Sequence, residues 1–182
     1  ERAVDVLLSA PNQEWALDFV SDALATGRGI RGLTIVDSYT RACPAIEVAT
    51  GICSRTVTRT LERIIGELGK PQALRCDNGP EFTGKAFQAR VGELGLVHHR
   101  IPPRSPNHNA VCERFHGTVL HEFYRPHFHR GRVDDIPLLD RSLQTWVLDY
   151  NHHRPNHGDY MAGRTPLQVK KQLRRRIRQT AT

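Results

Sequence analysis

The order in which strand-type and helix-type patterns of hydrophobic residues follow one another most constrains how this chain can fold. Three segments that begin at Glu14, Gly32 and Ala42 have the pattern of β-strands. The elements predicted after them are a helix over residues 54–68, a strand over 72–77, a helix that Thr83 can cap, a strand over 96–101, and helices over about 109–124 and 138–153. Three consecutive strands followed by this alternation predict an α/β fold, with a mixed five-stranded sheet flanked by helices.

Local signals refine two of the predicted helices. Ser54 is the predicted N-cap of the first helix, and Gly69 is its predicted stop. Within the helix over 109–124, Val111, Phe115 and Val119 recur at helical spacing and form the predicted buried stripe. Glu113 lies on another side of that helix and is therefore expected to face away from the stripe.

Three carboxylates are placed unusually in this pattern. Asp18 lies inside the first strand among apolar neighbours, where an unpaired charge is costly, so it needs a partner, and a metal ion would serve. Asp77 ends the fourth strand and precedes Asn-Gly-Pro, residues that tight turns favour, so turn chemistry alone also explains it. Glu113, in the predicted helix over about 109–124, is the third of these carboxylates. Carboxylate oxygens suit Mg²⁺ better than sulfur or imidazole ligands do.

The net charge of +7 is concentrated at one end of the chain. No acidic residue follows Asp159, whereas seven lysines and arginines do. Six of them fall within residues 170–178, where two apolar residues are too few to bury a substantial helix face, so we expect a weakly ordered tail. Such a tail can bind phosphate backbones, and it can equally be a solvated surface.

Length and cysteine usage set the remaining bounds. With 182 residues, one domain is expected: a core over residues 14–168, preceded by a linker end over 1–13 and followed by the basic tail over 169–182. Four cysteines without a CxxC pair indicate reduced thiols in a cytoplasm. We find no signal peptide and no apolar run of membrane-spanning length. Because the first residue is Glu1, we expect a fragment of a longer protein.

Four motifs in order carry a family resemblance. They read "WALDFVSD", "CDNGPEF", "SPNHNAVCERFHG" and "DYNHHRPNHGDYMAGRTPLQV", and 35 residues separate Asp77 from Glu113. Over about residues 12–169 the chain resembles the catalytic core of bacterial insertion-sequence DDE transposases, which are related to retroviral integrases. One departure is the third motif, "NHNAVCERFHG", where relatives often have Gln before the Asn, and this change affects expected DNA contacts rather than metal binding.

The resemblance implies a ribonuclease-H-like fold and a chemistry. Asp18, Asp77 and Glu113 would be both the catalytic residues and the ligands of Mg²⁺, for which Mn²⁺ can substitute, with Asp18 bridging two ions. The implied activity is cleavage of phosphodiester bonds and strand transfer at transposon DNA ends. The implied partners are transposon and target DNA and further copies of the same chain, without a membrane.

The residues expected to contact DNA lie around Glu113 and in the tail. They are Asn109, Arg114, His116, Lys170, Lys171, Arg174 and Arg175. Solvated surface positions are nearly as good an explanation for those around Glu113.

Several competing assignments remain open from the sequence. Asp22 or Asp37 could take the role of the first carboxylate, although Asp37 has the pattern of a turn residue. Glu81 is expected to shape the loop after Asp77, and the spacing of His108 and Cys112 is explained by chance, because no second pair at metal-ligand spacing accompanies them.

Two other functions compete with the transposase interpretation. The first is a transposase-derived DNA-binding or assembly domain that has lost catalysis, against which the intact set of three carboxylates argues. The second is a general ribonuclease H, which the 35-residue spacing and the last motif disfavour.

Overall fold

Five strands form one mixed sheet in the order β3-β2-β1-β4-β5. The structure is a computed structural model that describes residues 8–23, 27–102, 109–130 and 135–180. The strands are β1 (Glu14–Ala23), β2 (Gly29–Asp37), β3 (Ala45–Ala49), β4 (Ala73–Cys76) and β5 (Val97–Arg100). The first three pair antiparallel, while β4 pairs parallel with both β1 and β5. The predicted mixed five-stranded sheet is confirmed.

Both faces of the sheet are covered, because successive side chains of a strand point in opposite directions. Trp15 and Leu17 of β1 belong to one buried cluster, and Ala16 and Val20 belong to another. The chain therefore builds two hydrophobic layers, one on each face of the sheet.

Seven α-helices lie within the described residues. They are α1 (Ser54–Leu68), α2 (Pro80–Thr83), α3 (Lys85–Glu93), α4 (Ala110–Val119), α5 (Arg125–Arg130), α6 (Ile136–His152) and α7 (Pro166–Thr180), and a π-helical turn, Leu120–Tyr124, joins α4 to α5. The side chains of α1 and α3 join the cluster of Trp15, and those of α4 and α6 join the cluster of Ala16. None of the described helices is both long and apolar enough to span a membrane.

The structure corrects details of the predicted helices. Cys53, and not Ser54, is the N-cap of α1, because the Ser54 hydroxyl donates to the carbonyl of Glu81 at 2.8 Å. Gly69 ends α1 with a φ of 89°, as predicted, since glycine adopts this conformation readily. In α4 the buried residues are Cys112, Phe115 and Val119, so Cys112 replaces the predicted Val111.

The expectation of a weakly ordered tail is wrong for the backbone over residues 166–180, which forms α7. Reciprocal hydrogen bonds begin this helix: Thr165 N donates to Gln168 Oε1 at 2.8 Å, and Gln168 N donates to Thr165 Oγ1 at 3.2 Å. This capping box, together with the buried Val169, stabilises a helix that charge counting disfavoured. The predicted boundary at residue 168 falls inside it. Most of the segment between the predicted strand over 96–101 and the predicted helix over 109–124, residues 103–108, lies outside the described residues.

Candidate active site

Asp18 lies in the middle of β1, on the face of the sheet that α4 covers. Its side chain is 22% exposed. Asp18 Oδ1 accepts a hydrogen bond from the backbone N–H of Phe19 at 2.8 Å, and Oδ2 accepts one from Asn109 Nδ2 at 3.0 Å. The carboxylate is therefore held in a fixed position by one strand and by the start of one helix.

The charge of Asp18 is poorly compensated by the protein. Burial raises its pKa to about 6, and the charges of Asp77 and Glu113 also raise it, while the hydrogen bonds from Phe19 and Asn109 act in the opposite direction. His116 Nδ1 lies 3.9 Å from Asp18 Oδ2, but burial lowers the pKa of His116 to about 4. This imidazole is therefore neutral at pH 7 and supplies no positive charge to the site.

Asp77 reaches the same place from the neighbouring strand. In the parallel pair of β1 and β4, Ala16 is the partner of Arg75, so two further residues along each strand bring Asp77 level with Asp18. The exposed Asp77 also accepts the N–H of Gly79 at 2.9 Å, which makes the turn that its neighbours predicted. The turn interpretation of Asp77 is therefore confirmed, and the same geometry places Asp77 level with Asp18.

Glu113 comes to the site on α4. Its side chain is exposed, whereas Cys112 and Phe115 on either side of it are buried. The charge of Glu113 acts on Asp18, which places the third carboxylate near the first two. The sequence predicted this side chain to face away from the buried stripe of the helix, and it does.

The three carboxylates are neighbours without forming a closed metal site. As the side chains stand, no group of three His, Cys, Asp or Glu in the described part of the chain could hold a metal ion. The donor chemistry nevertheless fits a divalent cation, because the charges of two further carboxylates act on the desolvated Asp18. Asn109 Oδ1, beside Asp18, is also buried and has no hydrogen-bond partner among the described residues. Asp77 and Glu113 are exposed, so their rotamers can change at little cost.

Asn109 and His116 are turned toward β1 and β2 and away from solvent. Asn109 is 7% exposed and donates to Asp18, and His116 Nε2 lies 2.7 Å from Thr34 Oγ1. Thr34, the partner of Asp18 in β2, donates to the Asp18 carbonyl at 3.0 Å. Sequence reasoning missed Thr34, and a polar residue in an otherwise apolar strand was the signal that could have found it.

Arg114 and part of α7 remain accessible. The side chains of Arg114, Lys171 and Arg175 are exposed and that of Lys170 is half-buried, while the side chain of Arg174 lies outside the described part. Their predicted contacts with DNA stay predictions.

The competing acidic residues have structural partners. Asp37 accepts hydrogen bonds from the backbone N–H groups of Asn12, Tyr39 and Thr40, as its turn interpretation predicted. Glu81 pairs with Arg31. Asp22 lies in β1, four residues beyond Asp18, and Cys112 is fully buried, whereas its spaced partner His108 lies outside the described residues.

Two models of the family described as integrase core domain match this chain, over residues 9–106 and 94–166. An uncharacterized 39.2 kDa protein of insertion element IS476 from Xanthomonas euvesicatoria is 37% identical over 166 residues, which cover 91% of this chain and 46% of that protein. An uncharacterized 31.7 kDa protein of insertion element IS407 from Burkholderia multivorans is 35% identical over 163 residues, 89% of this chain and 57% of that protein. The chain thus spans about half the length of the curated relatives it matches.

Solved structures share the fold at low sequence identity. A chain of the simian T-cell lymphotropic virus intasome superposes with a TM-score of 0.72 at 21% identity, covering 88% of this chain and 55% of that one. The HTLV-2 integrase catalytic core domain in complex with magnesium gives 0.70 at 19% identity, covering 88% of this chain and 97% of that one. The sheet and helices are thus ribonuclease-H-like, as the resemblance implied. Because one family model alone matches more than half of its residues, the chain belongs to the integrase core domain family.

Proposed function

We propose that this chain is a metal-dependent DNA transposase core, which cleaves phosphodiester bonds and transfers strands at transposon DNA ends. One observation carries the proposal most: a largely buried Asp18, with no compensating cation among the described residues, has the charges of Asp77 and Glu113 beside it. Uncompensated carboxylates that share a cleft are typical of sites built to bind a cation or move a proton. Membership of the integrase core domain family and likeness to insertion-element proteins support the same activity.

Asp18, Asp77 and Glu113 would hold Mg²⁺, or Mn²⁺ in its place. When bound as a pair, such ions activate the attacking oxygen and stabilise the departing one in an in-line displacement. The chain itself positions the three carboxylates. The N–H of Phe19 and the amide of Asn109 fix Asp18, the turn after β4 positions the backbone of Asp77, and α4 carries Glu113.

The neighbouring side chains orient these carboxylates and do not react themselves. Thr34 donates its hydroxyl proton to the Asp18 carbonyl, so its oxygen accepts from His116, which therefore carries its proton on Nε2. This network ties α4 to β2 directly beside the carboxylates. Its expected role is to keep Glu113 within reach of Asp18 while DNA is bound.

The proposed ligands are transposon ends and target DNA, bound by several copies of the chain in the cytoplasm. The two solved relatives are an intasome chain and a catalytic core solved in a trimeric form, and we propose that this chain also forms a homo-oligomer. Arg114 and the exposed basic side chains of α7 are the proposed phosphate contacts; Asn109 and His116 are proposed to act next to the DNA through Asp18.

A strand-transfer assay on labelled duplex ends, with Mg²⁺ or Mn²⁺, tests this function. The assay is run with this chain alone and with the longest protein that its gene encodes. We expect metal-dependent nicking and joining, which Asp77→Asn abolishes and which the surface variant Asp149→Asn leaves intact. Duplex binding without any metal-dependent cleavage would overturn the proposal and favour a DNA-binding or assembly domain.

A further inference from the structure

A cleft lies on the flank of α4, between the turn after β2 and the loop over residues 153–165 that precedes α7. It encloses about 100 Å³, several times the roughly 30 Å³ that one water molecule takes. Its lining includes Val36, Arg41, Arg114, Thr118, Tyr150 and Asn156. We propose that the cleft binds one backbone phosphate of the DNA substrate between Arg41 and Arg114. This proposal rests on the proposed function, because that function makes DNA the ligand.

The cleft carries positive charge without a matching carboxylate. Among the described residues, no Asp or Glu lines it and neither arginine forms an ion pair. Burial lowers the pKa of Arg41, and the charge of Arg114 lowers it further, although Asp37 and two tyrosines act in the opposite direction. Two arginines that repel one another in a partly buried cleft are stabilised by an anion placed between them.

The Arg41 guanidinium is held in place, the Arg114 guanidinium lies against a neighbouring backbone, and both keep donors free. Arg41 Nη1 donates to the Ser38 carbonyl at 2.5 Å, and its guanidinium carbon lies 5.4 Å from the centre of the Tyr160 ring. The Arg114 guanidinium lies against Gly158, where an added Cβ would come within 2.8 Å of Nη1. A guanidinium has five N–H donors, so both retain donors for phosphate oxygens. Pre-positioned forks of this kind suit bidentate phosphate binding.

The backbone of Arg41 also favours a role for its side chain. Its φ is 63°, in the left-handed region that side chains disfavour and glycine accepts. The Tyr150 hydroxyl donates to the Arg41 carbonyl at 3.0 Å, and Arg41 N donates to the Asp37 carbonyl at 2.9 Å. The turn is thus held so that the Arg41 side chain lies over the cleft.

The cleft is next to the candidate active site and distinct from it. Arg114 follows Glu113 directly on α4, and consecutive helical residues point about 100° apart. A DNA strand with one phosphate at the carboxylates could therefore place another phosphate in this cleft. The geometry predicts a contact that positions the strand and does not read its sequence.

Duplex binding without divalent metal tests the proposal. Fluorescence anisotropy in a chelator, at several salt concentrations, compares the wild-type chain with Arg41→Gln, Arg114→Gln and the double variant. Arg59→Gln is the matched control, because it removes the same charge from an exposed position on α1, across the sheet. We expect each single variant to bind roughly tenfold more weakly and to lose about 0.9 from the log–log salt slope. The double variant should lose no more slope than a single one, because both arginines hold one phosphate.

Several outcomes would overturn the proposal. One is a pair of single variants that bind like Arg59→Gln, and another is a double variant whose slope falls by twice the single loss. If inorganic phosphate raises the thermal unfolding midpoint of the wild-type chain while duplex affinity does not depend on either arginine, the cleft is a small-anion site and the proposal fails. If Arg41→Gln lowers the unfolding midpoint, the duplex affinities of Arg114→Gln and Arg114→Lys test the proposal instead. Lysine keeps the positive charge but cannot bind a phosphate with two parallel N–H donors as arginine does.

The result is separable from the proposed function. Arginine-dependent binding by a chain that never cleaves DNA would keep the cleft and overturn the transposase function. Cleavage that depends on Asp77 but not on either arginine would support the transposase function and overturn the phosphate-binding cleft.

Discussion

Glu14 and Asp18 lie on the same face of β1, four residues apart, and the residues that the structure describes compensate the charge of Glu14 but not that of Asp18. Glu14 is 4% exposed. It accepts hydrogen bonds from Arg75 Nε at 2.9 Å and from Ser38 Oγ at 3.1 Å, and His99 Nδ1 lies 3.1 Å from its other oxygen. Burial acts to raise the pKa of Glu14, but the hydrogen bonds from Arg75 and His99 outweigh it, and the pKa lies below its ordinary value.

Within the described part of the chain, Asp18 has no such partners. Burial raises its pKa to about 6, and its neighbours are a neutral histidine, an amide and two further carboxylates. The comparison teaches that burial alone does not mark a functional carboxylate. A buried acid whose charge the fold neutralises stabilises the structure, whereas one that the fold leaves uncompensated is positioned for a ligand from outside.

The largest expected difference between the two sites is in activity. Asp18→Asn should lower metal-dependent cleavage at least about a hundredfold, because the amide keeps the shape and loses the charge that holds the ion. Glu14→Gln should retain cleavage per folded molecule. Single-turnover rates, normalised to the folded fraction from circular dichroism, measure this. Equal losses in both variants would break the comparison.

The free energy of unfolding should be affected more by the change at Glu14 than by the change at Asp18, which is the opposite of the order expected for activity. Glu14→Gln should lower the free energy of unfolding by about 3 kcal/mol, because it leaves the largely buried Arg75 without its carboxylate. Asp18→Asn, without metal, should not destabilise the chain and should raise the free energy of unfolding slightly. Urea titrations followed by Trp fluorescence measure both. A destabilised Asp18→Asn would show that Asp18 is already compensated.

The pH dependence of stability should sharpen the contrast. The folded pKa of Asp18 is about 6 against an ordinary value of 3.8, so between these values the folded state binds more protons, and stability falls as the pH rises, by about 3 kcal/mol in all. Glu14 has the opposite sign, since its lowered pKa adds stability above about pH 4.5 that is lost on acidification. Subtracting the profile of Asp18→Asn or Glu14→Gln from that of the wild type isolates each term. A flat difference for Asp18→Asn would contradict its raised pKa.

The smallest expected effect is stabilisation by metal. A divalent ion that binds only the folded state raises the free energy of unfolding by about 1.4 kcal/mol at ten times its dissociation constant. Mg²⁺ or Mn²⁺ should therefore raise the unfolding midpoint of the wild type and of Glu14→Gln, but not that of Asp18→Asn. Calorimetry at matched ionic strength checks this. The same rise in Asp18→Asn would place the ion elsewhere.

The sheet was predictable because its signals are local. Strand patterns and the breaks at Gly69 and after Asp77 gave the five strands and their mixed pairing, and the family resemblance gave the three carboxylates. The contacts of Asn109 and His116 were not predictable, because their partners lie 91 and 82 residues away in the sequence. The capping box of α7 is a local signal, but a basic tail draws attention to its charge instead.

The register of β1 and β4 has a consequence for how the site can move. Asp18 is part of one strand and Asp77 directly follows the next, so the hydrogen bonds of the sheet fix their separation, and they behave as one rigid body. Glu113 belongs to a second body, α4, joined to the first through the Asn109 and His116 contacts. Apart from side-chain rotamers, assembly of the three carboxylates then depends on the position of one helix over a sheet. A molecule wedged between α4 and β2 would displace Glu113 and leave the two aspartates where they are.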